Sequence, residues 1–430
     1  MPRLLLLLPA TTYRREAFLE AAYRLKLDVT VASGEAIPQH SQHYQDFLPL
    51  RLRDIEDSVR TVAAFSRQHP IDVVIGVDDR TAVLAAHIAA ALGLPHNSAQ
   101  SVEAAYNKHR MRQLLQEQGV PVPRFAVWGL DADPAALAGI ISFPCVVKPL
   151  ILSASCGVIR ANNAEEFVTA FERAAALLRQ LGLAATEDAG RQLLVEEFVP
   201  GREVAVEGLL TNGELHALAL FDKPDPLDGP FFEETIYVTP SRLSASLQSE
   251  IASWAGRAAR ALGLREGPVH GECRINDRGV WVIELAARSI GGRCSQTLRF
   301  AAGLSLEELI LRHAFRMELP ALKQVGQAAG VMMLPIPYGG IFSGVRGLAA
   351  ARAVPGIEEL EITTVPGEPL VPLPEGTRYL GFMVARGDTP ERVEAALREA
   401  HRHLDVVVNA ASADVPRDQV PGTGRRGVRF

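Results

Sequence analysis

A chain of 430 residues is too long for one hydrophobic core and predicts two to four domains. With 48% hydrophobic and 22% charged residues, a formal net charge of -6 and no basic run, it has the balance of a globular protein, which argues against nucleic acid or an anionic membrane as a partner. Its four cysteines, Cys145, Cys156, Cys273 and Cys294, form no CxxC pair, which disfavours a structural zinc site and points to a reducing, cytoplasmic compartment.

The five leucines at residues 4–8 follow Arg3 and could pass for a secretory leader. Pro9 ends the run early and no small-residue cleavage pattern follows, so a buried first strand is the better reading. No stretch is long enough to span a bilayer. A helical pattern at 13–25, a strand at 27–32, a helix at 53–68, a strand at 71–77 and an alanine-rich helix at 81–92 come next. Alternation of this kind implies a parallel sheet with helices on its faces. Residues 1–97 therefore read as a Rossmann-like α/β domain that lacks GxGxxG, a scaffold without a nucleotide of its own. Asp78 and Asp79 follow a strand and read as a helix-capping turn.

Residues 101–118 predict one helix carrying Lys108 and Arg112 a turn apart, stopped by Gly119. The run FPCVVKP at 143–149 reads as a buried strand, so Lys148 has to find an anion or lose its charge. The small-residue loop behind it, 150–158, can fold its amides around phosphate oxygens. A helix at 167–181 and a strand at 192–199 lead to Pro200-Gly201, with Glu196, Glu197 and Glu203 around the bend. Residues 204–210 and 215–221 predict a hairpin about Thr211-Asn212-Gly213. A proline-rich loop at 223–240 holds Phe231, Phe232, Glu233, Glu234 and Tyr237, a composition suited to closing a substrate pocket.

After a helix at 243–262 come two β-rich runs, 269–275 and 280–285, joined by Asn276-Asp277-Arg278-Gly279. Each carries one acidic residue among apolar ones, Glu272 and Glu284. A three-residue loop with Gly279 left-handed would set them opposite each other on one face; a two-residue turn would put them on opposite faces. Two facing carboxylates about 5 Å apart repel each other and need a positive group between them. A hard cation such as Mg²⁺, shared with phosphate oxygens, meets that need. Arg288 follows, a fixed fork donor beside Gly291-Gly292, where the backbone allows close approach. A helix at 306–315, an α+β module with a helix at 390–403, and a proline- and arginine-containing tail without apolar period complete the chain.

Taken together, Lys108, the strand 143–149, the segment 194–203 and the hairpin with Glu272, Glu284 and Arg288 resemble the ATP-grasp superfamily over residues 100–320. The loop Phe232-Glu233-Glu234-Thr235, the sequence ELAAR and the module after 330 are similar to the L-amino acid ligase branch. The resemblance implies an α/β and α+β multidomain chain: a Rossmann-like N-terminal domain, 1–97; linker helices, 98–142; a lid subdomain, 143–210; a catalytic subdomain, 211–329; a C-terminal α+β module, 330–410; and a disordered tail, 411–430. It further implies that Lys108, Lys148 and the loop with Ser153, Ser155 and Gly157 hold ATP phosphates. Glu196, Glu197, Phe198 and Val199 would line the adenine pocket, and Glu203 would accept from the ribose. Glu272 and Glu284 would bind Mg²⁺ or Mn²⁺, and Arg288, with Lys148, would neutralise the transferred phosphoryl group. Glu234 would bind a substrate ammonium beside Tyr237, Gly291 and Gly292. Ala286 departs from the asparagine that many members of the superfamily have there, Tyr237 stands where some ligases have histidine, and the phosphate loop has only one glycine. The implied chemistry is ATP-dependent amide or peptide bond formation from small-molecule carboxylate and amine substrates by a homodimer. The alternatives are a ligase or carboxylase for other substrates, or a nucleotide-binding regulator.

Overall fold

The computed structural model describes residues 1–10, 12–35, 44–322 and 324–409; the tail expected at 411–430 lies outside them. The first strand, β1 (Arg3–Leu7), lies in a parallel four-stranded sheet with β2 (Asp28–Ser33), β3 (Asp46–Pro49) and β4 (Val73–Gly76), in the order β3-β2-β1-β4. Leu4 to Leu8 are fully buried, as a central parallel strand covered on both faces requires.

A second sheet is antiparallel, β5 (Phe125–Gly129), β6 (Cys145–Pro149), β7 (Ile159–Ala161) and β8 (Gln192–Glu197), ordered β5-β8-β6-β7. The amphipathic helix Ala164–Gln180 lays Phe167, Phe171 and Leu178 against it. This lid unit takes β5 from the segment expected to be linker. It ends near Pro200, because β9 (Arg202–Thr211) pairs elsewhere.

The central sheet has eight strands: β9, β10 (Glu214–Asp222), β11 (Ile236–Thr239), β12 (Gly267–Asn276), β13 (Gly279–Ala286), β14 (Ala328–Leu334), β16 (Ile357–Ile362) and β18 (Gly381–Gly387). Their order is β13-β12-β9-β10-β11-β14-β18-β16. The module after 330 therefore continues the central sheet; only β15 (Gly340–Arg346), β17 (Pro369–Leu370) and β19 (Asp405–Asn409) form a sheet of their own. One face of β9, β12 and β13 buries Val204, Val206, Cys273, Val282 and Leu285 under the helix Ala245–Ala261. The alternate residues face a cavity of about 1150 Å³ at the junction of lid, central sheet, N-terminal domain and C-terminal module. Among the described residues no helix is long and apolar enough to cross a membrane.

The lid joins the central sheet through Val199-Pro200-Gly201. Gly201 has φ +123°, and a Cβ there would lie 2.2 Å from the carbonyl oxygen of Ile275. Gly201→Ala should therefore lower stability by about 2 kcal/mol, measured as a shift in the urea midpoint, because both strain and a backbone collision oppose it.

Candidate active site

The hairpin β12–β13 forms by a route that differs from the expected one. Asn276 pairs with Gly279, so the turn is the two-residue Asp277-Arg278 and the three-residue loop is not used. A bulge between Glu272 and Cys273 then shifts the register: Cys273 faces Val282, Ile283 is extra, and Glu272 faces Glu284. The bulge reverses the alternation, so Val280 and Val282 face the core while Glu284 faces the cavity with Glu272. Arg112 donates to the carbonyl of the bulged Ile283 at 2.6 Å, which gives the extra residue a partner.

Positive charge reaches the pair from other elements. The expected single helix 101–118 is two, Ala99–Tyr106 and Lys108–Glu117, broken at Asn107, whose side chain caps the second. Lys108 thus stands at a helix start; its Nζ donates to the carbonyl of Leu152 at 2.6 Å and lies 3.3 Å from Glu284 Oε1. Lys148 pairs with Glu196, which also receives Arg112 Nε at 2.9 Å. Burial raises the Glu196 carboxyl, but Arg112 and Lys148 outweigh it and hold it at about 2. Burial also draws the Lys148 ammonium below its ordinary value, against the pull of Glu196.

Of the residues assigned to the nucleotide, Phe198 lies under Arg160 and Arg274, and the Val199 carbonyl accepts from Arg274 at 2.7 Å. Glu197 sits at the rim with Arg124 and Arg278. In the loop 150–158, expected to hold phosphates, Ala154, Ser155 and Gly157 are left-handed, a backbone able to turn successive amides inward. The Gly157 amide itself donates to the Pro374 carbonyl at 2.7 Å, and Arg173 pairs with Glu375, so the loop rests on the C-terminal module.

Sequence reasoning missed Lys223, which directly follows the strand β10. Its ammonium is 2.7 Å from Glu203, 2.7 Å from Glu234 and 3.2 Å from Glu272, almost wholly buried behind the carboxylates that line the cavity. Burial opposes its charge, but the three acids raise its pKa well above the ordinary value. Arg274 completes Glu203 at 2.8 Å. Glu234 also receives Tyr237 Oη at 2.8 Å and Tyr379 Oη at 3.4 Å. Burial, the Glu234 charge and other neighbours push both phenols well above the ordinary range, so they stay protonated donors.

The reading of Asp78-Asp79 as a capping turn covers only half of it. Asp78 caps the helix Asp79–Ala91 through a capping box with Thr81, whereas Asp79 holds Arg288 by both oxygens, at 3.0 and 3.1 Å. Burial opposes the Asp79 charge and Arg288 restores it, leaving the carboxyl below its ordinary range. Gly291 and Gly292 receive the N-terminal domain: Gly292 N–H donates to Tyr13 Oη at 2.6 Å, and a Cβ on Gly291 would meet that oxygen at 2.9 Å. Beside Glu272, His270 faces the buried Glu207 at 3.6 Å, and Glu207 also accepts from the Ile290 amide at 3.0 Å.

Residues 141–297 match the ATP-grasp domain, 19–96 the ATP-grasp N-terminal domain and 332–409 the L-amino acid ligase C-terminal domain 2. The solved L-amino acid ligase from Bacillus licheniformis superposes with a TM-score of 0.83 at 26% identity, over 95% of this chain and 99% of that one. Alanine–anticapsin ligase of Bacillus subtilis is 28% identical over 234 residues, 51% of this chain and 49% of the relative, so the match spans about half of that enzyme. An uncharacterised protein, y4rH of Sinorhizobium fredii, is 24% identical over 407 residues, 94% of this chain and 83% of its own.

The depressed Glu196 carboxyl sets a pH dependence. Its ordinary value is 4.5 and its folded value about 2, so its contribution to stability is full above pH 4.5 and is lost as pH falls from there toward 2. Glu196→Gln should cost about 3 kcal/mol at neutral pH by leaving Arg112 and Lys148 uncompensated. It should also flatten the loss of stability over that acid window, as read from urea melts at a series of pH values.

Proposed function

From the premise that this chain belongs to the ATP-grasp superfamily and has its fold, with an L-amino acid ligase C-terminal domain, we propose that it is an ATP-dependent ligase forming carbon–nitrogen bonds between amino acids. The observation that carries this reading is Glu272 facing Glu284 on the cavity side of the sheet, with Lys108, Lys148 and Arg288 lining the same cavity.

The donor set suits a hard divalent cation, since it offers carboxylate oxygens and no thiolate. Glu203, Glu234 and Glu272 have oxygens within 4.8 Å of one another, and the single ammonium of Lys223 is shared among all three. Glu203 is also held by Arg274 and Glu234 by Tyr237, whereas Glu272 faces Glu284 across the hairpin, so Glu272 and Glu284 are the residues that would hold the ion. Mg²⁺ or Mn²⁺ bound there would offset charge on the phosphate oxygens and align them.

In the reaction, a carboxylate oxygen of the donor attacks the γ-phosphorus and the bond to the β–γ bridging oxygen breaks. ADP leaves and an acyl phosphate remains. The neutral amine of the acceptor then forms a bond to the acyl carbon, inorganic phosphate departs with the C–O bond electrons, and the nitrogen loses a proton. Lys108, Lys148 and the backbone of 153–157 would bind the phosphates. Glu196, Glu197, Phe198, Val199 and Glu203 would receive adenosine, and Arg288, oriented by Asp79, would meet the charge developing on the transferred group. Glu234 would hold the donor ammonium, with Tyr237 donating to that carboxylate.

Screening the standard amino acids, singly and in pairs, for ADP release tests the reaction; no release with any of them would overturn it. Glu284→Gln should lower ADP release at least about a hundredfold, the loss typical of removing a group that stabilises developing charge. The melting curve and circular dichroism should match wild type, and an active Glu284→Gln enzyme would refute the metal assignment.

A further inference from the structure

Seven arginine and lysine side chains line the cavity, and six of them have an acidic partner within the protein. Lys108 lies against Glu284, Lys148 against Glu196, Arg274 against Glu203, Arg288 against Asp79, Arg293 against Glu359 and Arg378 against Glu368. Arg14 is the exception: among the described residues no carboxylate lies within ion-pair distance of it. Its nearby acid, Asp79, is already held by Arg288 through both oxygens.

Arg14 is also anchored. Its Nη1 donates to the carbonyl of Val77, just beyond β4, and its amide donates to Thr12 Oγ1 at 3.2 Å. A guanidinium has five N–H donors in a planar fork, so most of Arg14's remain for a ligand. The Nη2 atom lies 3.1 Å from where a Cβ on Gly291 would stand, so the fork borders the glycine pair that follows Arg288. It stands at the start of the helix Arg15–Arg24, whose positive end adds to the local potential without a side-chain cap. A fixed, half-buried cation without an internal counter-ion, beside the reacting groups, is arranged for an anion brought by the substrate.

We propose that Arg14 binds the carboxylate of the amine-donating substrate, so that the acceptor is an α-amino acid with a free carboxylate rather than a simple amine or amide. This rests on the ligase reading above. The carboxyl-donating amino acid loses its carboxylate charge to phosphorylation and has Glu234 for its ammonium, whereas the acceptor carries its carboxylate unchanged through the reaction. That lasting charge needs a lasting partner, and Arg14 is the cavity cation not already engaged by one.

The test uses the amino-acid pair found by the ADP-release screen, with its order read from the mass of the product fragments. Initial rates are measured with ATP and donor saturating, while the acceptor is supplied as the free acid or as its carboxamide. Wild type should favour the acid. Arg14→Gln should raise the KM for the acid about 30-fold or more while leaving kcat and the KM values for ATP and donor within about twofold, and it should use acid and amide alike. Arg14→Lys should recover part of the preference, and its melting curve separates a binding defect from misfolding. Equal use of acid and amide by wild type, or an Arg14→Gln effect confined to ATP or donor, would overturn the inference and leave the ligase reading standing. No ADP release by wild type with any amino acid would remove both.

Discussion

A single extra residue in one strand decides what the central sheet can do. Without the bulge at Ile283, the two-residue turn would send Glu284 into the apolar layer with Val280 and Val282, where an unpaired carboxylate is strongly disfavoured. With it, both acids stand on the cavity face. The bulge's own carbonyl is satisfied by Arg112, whose guanidinium also binds Glu196 on the lid. One buried arginine thus ties the geometry of the acidic hairpin to the sheet bearing Lys148.

Around this pair nearly every charge is answered within the protein. Lys223 draws together three carboxylates from β9, the 223–235 loop and β12; Asp79 fixes Arg288 across the boundary between the N-terminal domain and the hairpin. Buried ion pairs add little net stability, since desolvation offsets most of the attraction, yet removal of one member leaves an uncompensated charge. Their contribution here is placement. Side chains held by two or three partners need little reorganisation when a polyanionic ligand enters.

Much of this was legible in the sequence where the information is local. The alternation in 269–285 revealed a hairpin with misplaced acids, and Lys148 among apolar neighbours announced a buried cation. The alternating helices and strands of the first 97 residues predicted the parallel sheet. What stayed hidden depends on distant partners or on small backbone irregularities. Asp79 and Arg288 are 209 residues apart, and an aspartate at a helix start looks the same whether or not an arginine awaits it. Lys223 sits in a proline-rich stretch whose composition says nothing of the three acids folded over it. The bulge leaves no mark in the residue pattern, since Trp281 and Ile283 suit a regular strand equally well. Asn107 is a strong capping residue, and its break in the helix could have been read from the side chain alone.

The bond from the Gly157 amide to Pro374, reinforced by Arg173 and Glu375, has a bearing on motion. A hinge at Pro200-Gly201 would let the lid swing as a free flap, but this clasp fastens the flap's tip to the loop between β17 and β18, the latter a strand of the same eight-stranded sheet as the floor. Any opening of the lid then requires a rupture at one edge before a rotation at the other, and under the proposed ligase function the frequency of nucleotide exchange would be tied to how often that clasp lets go.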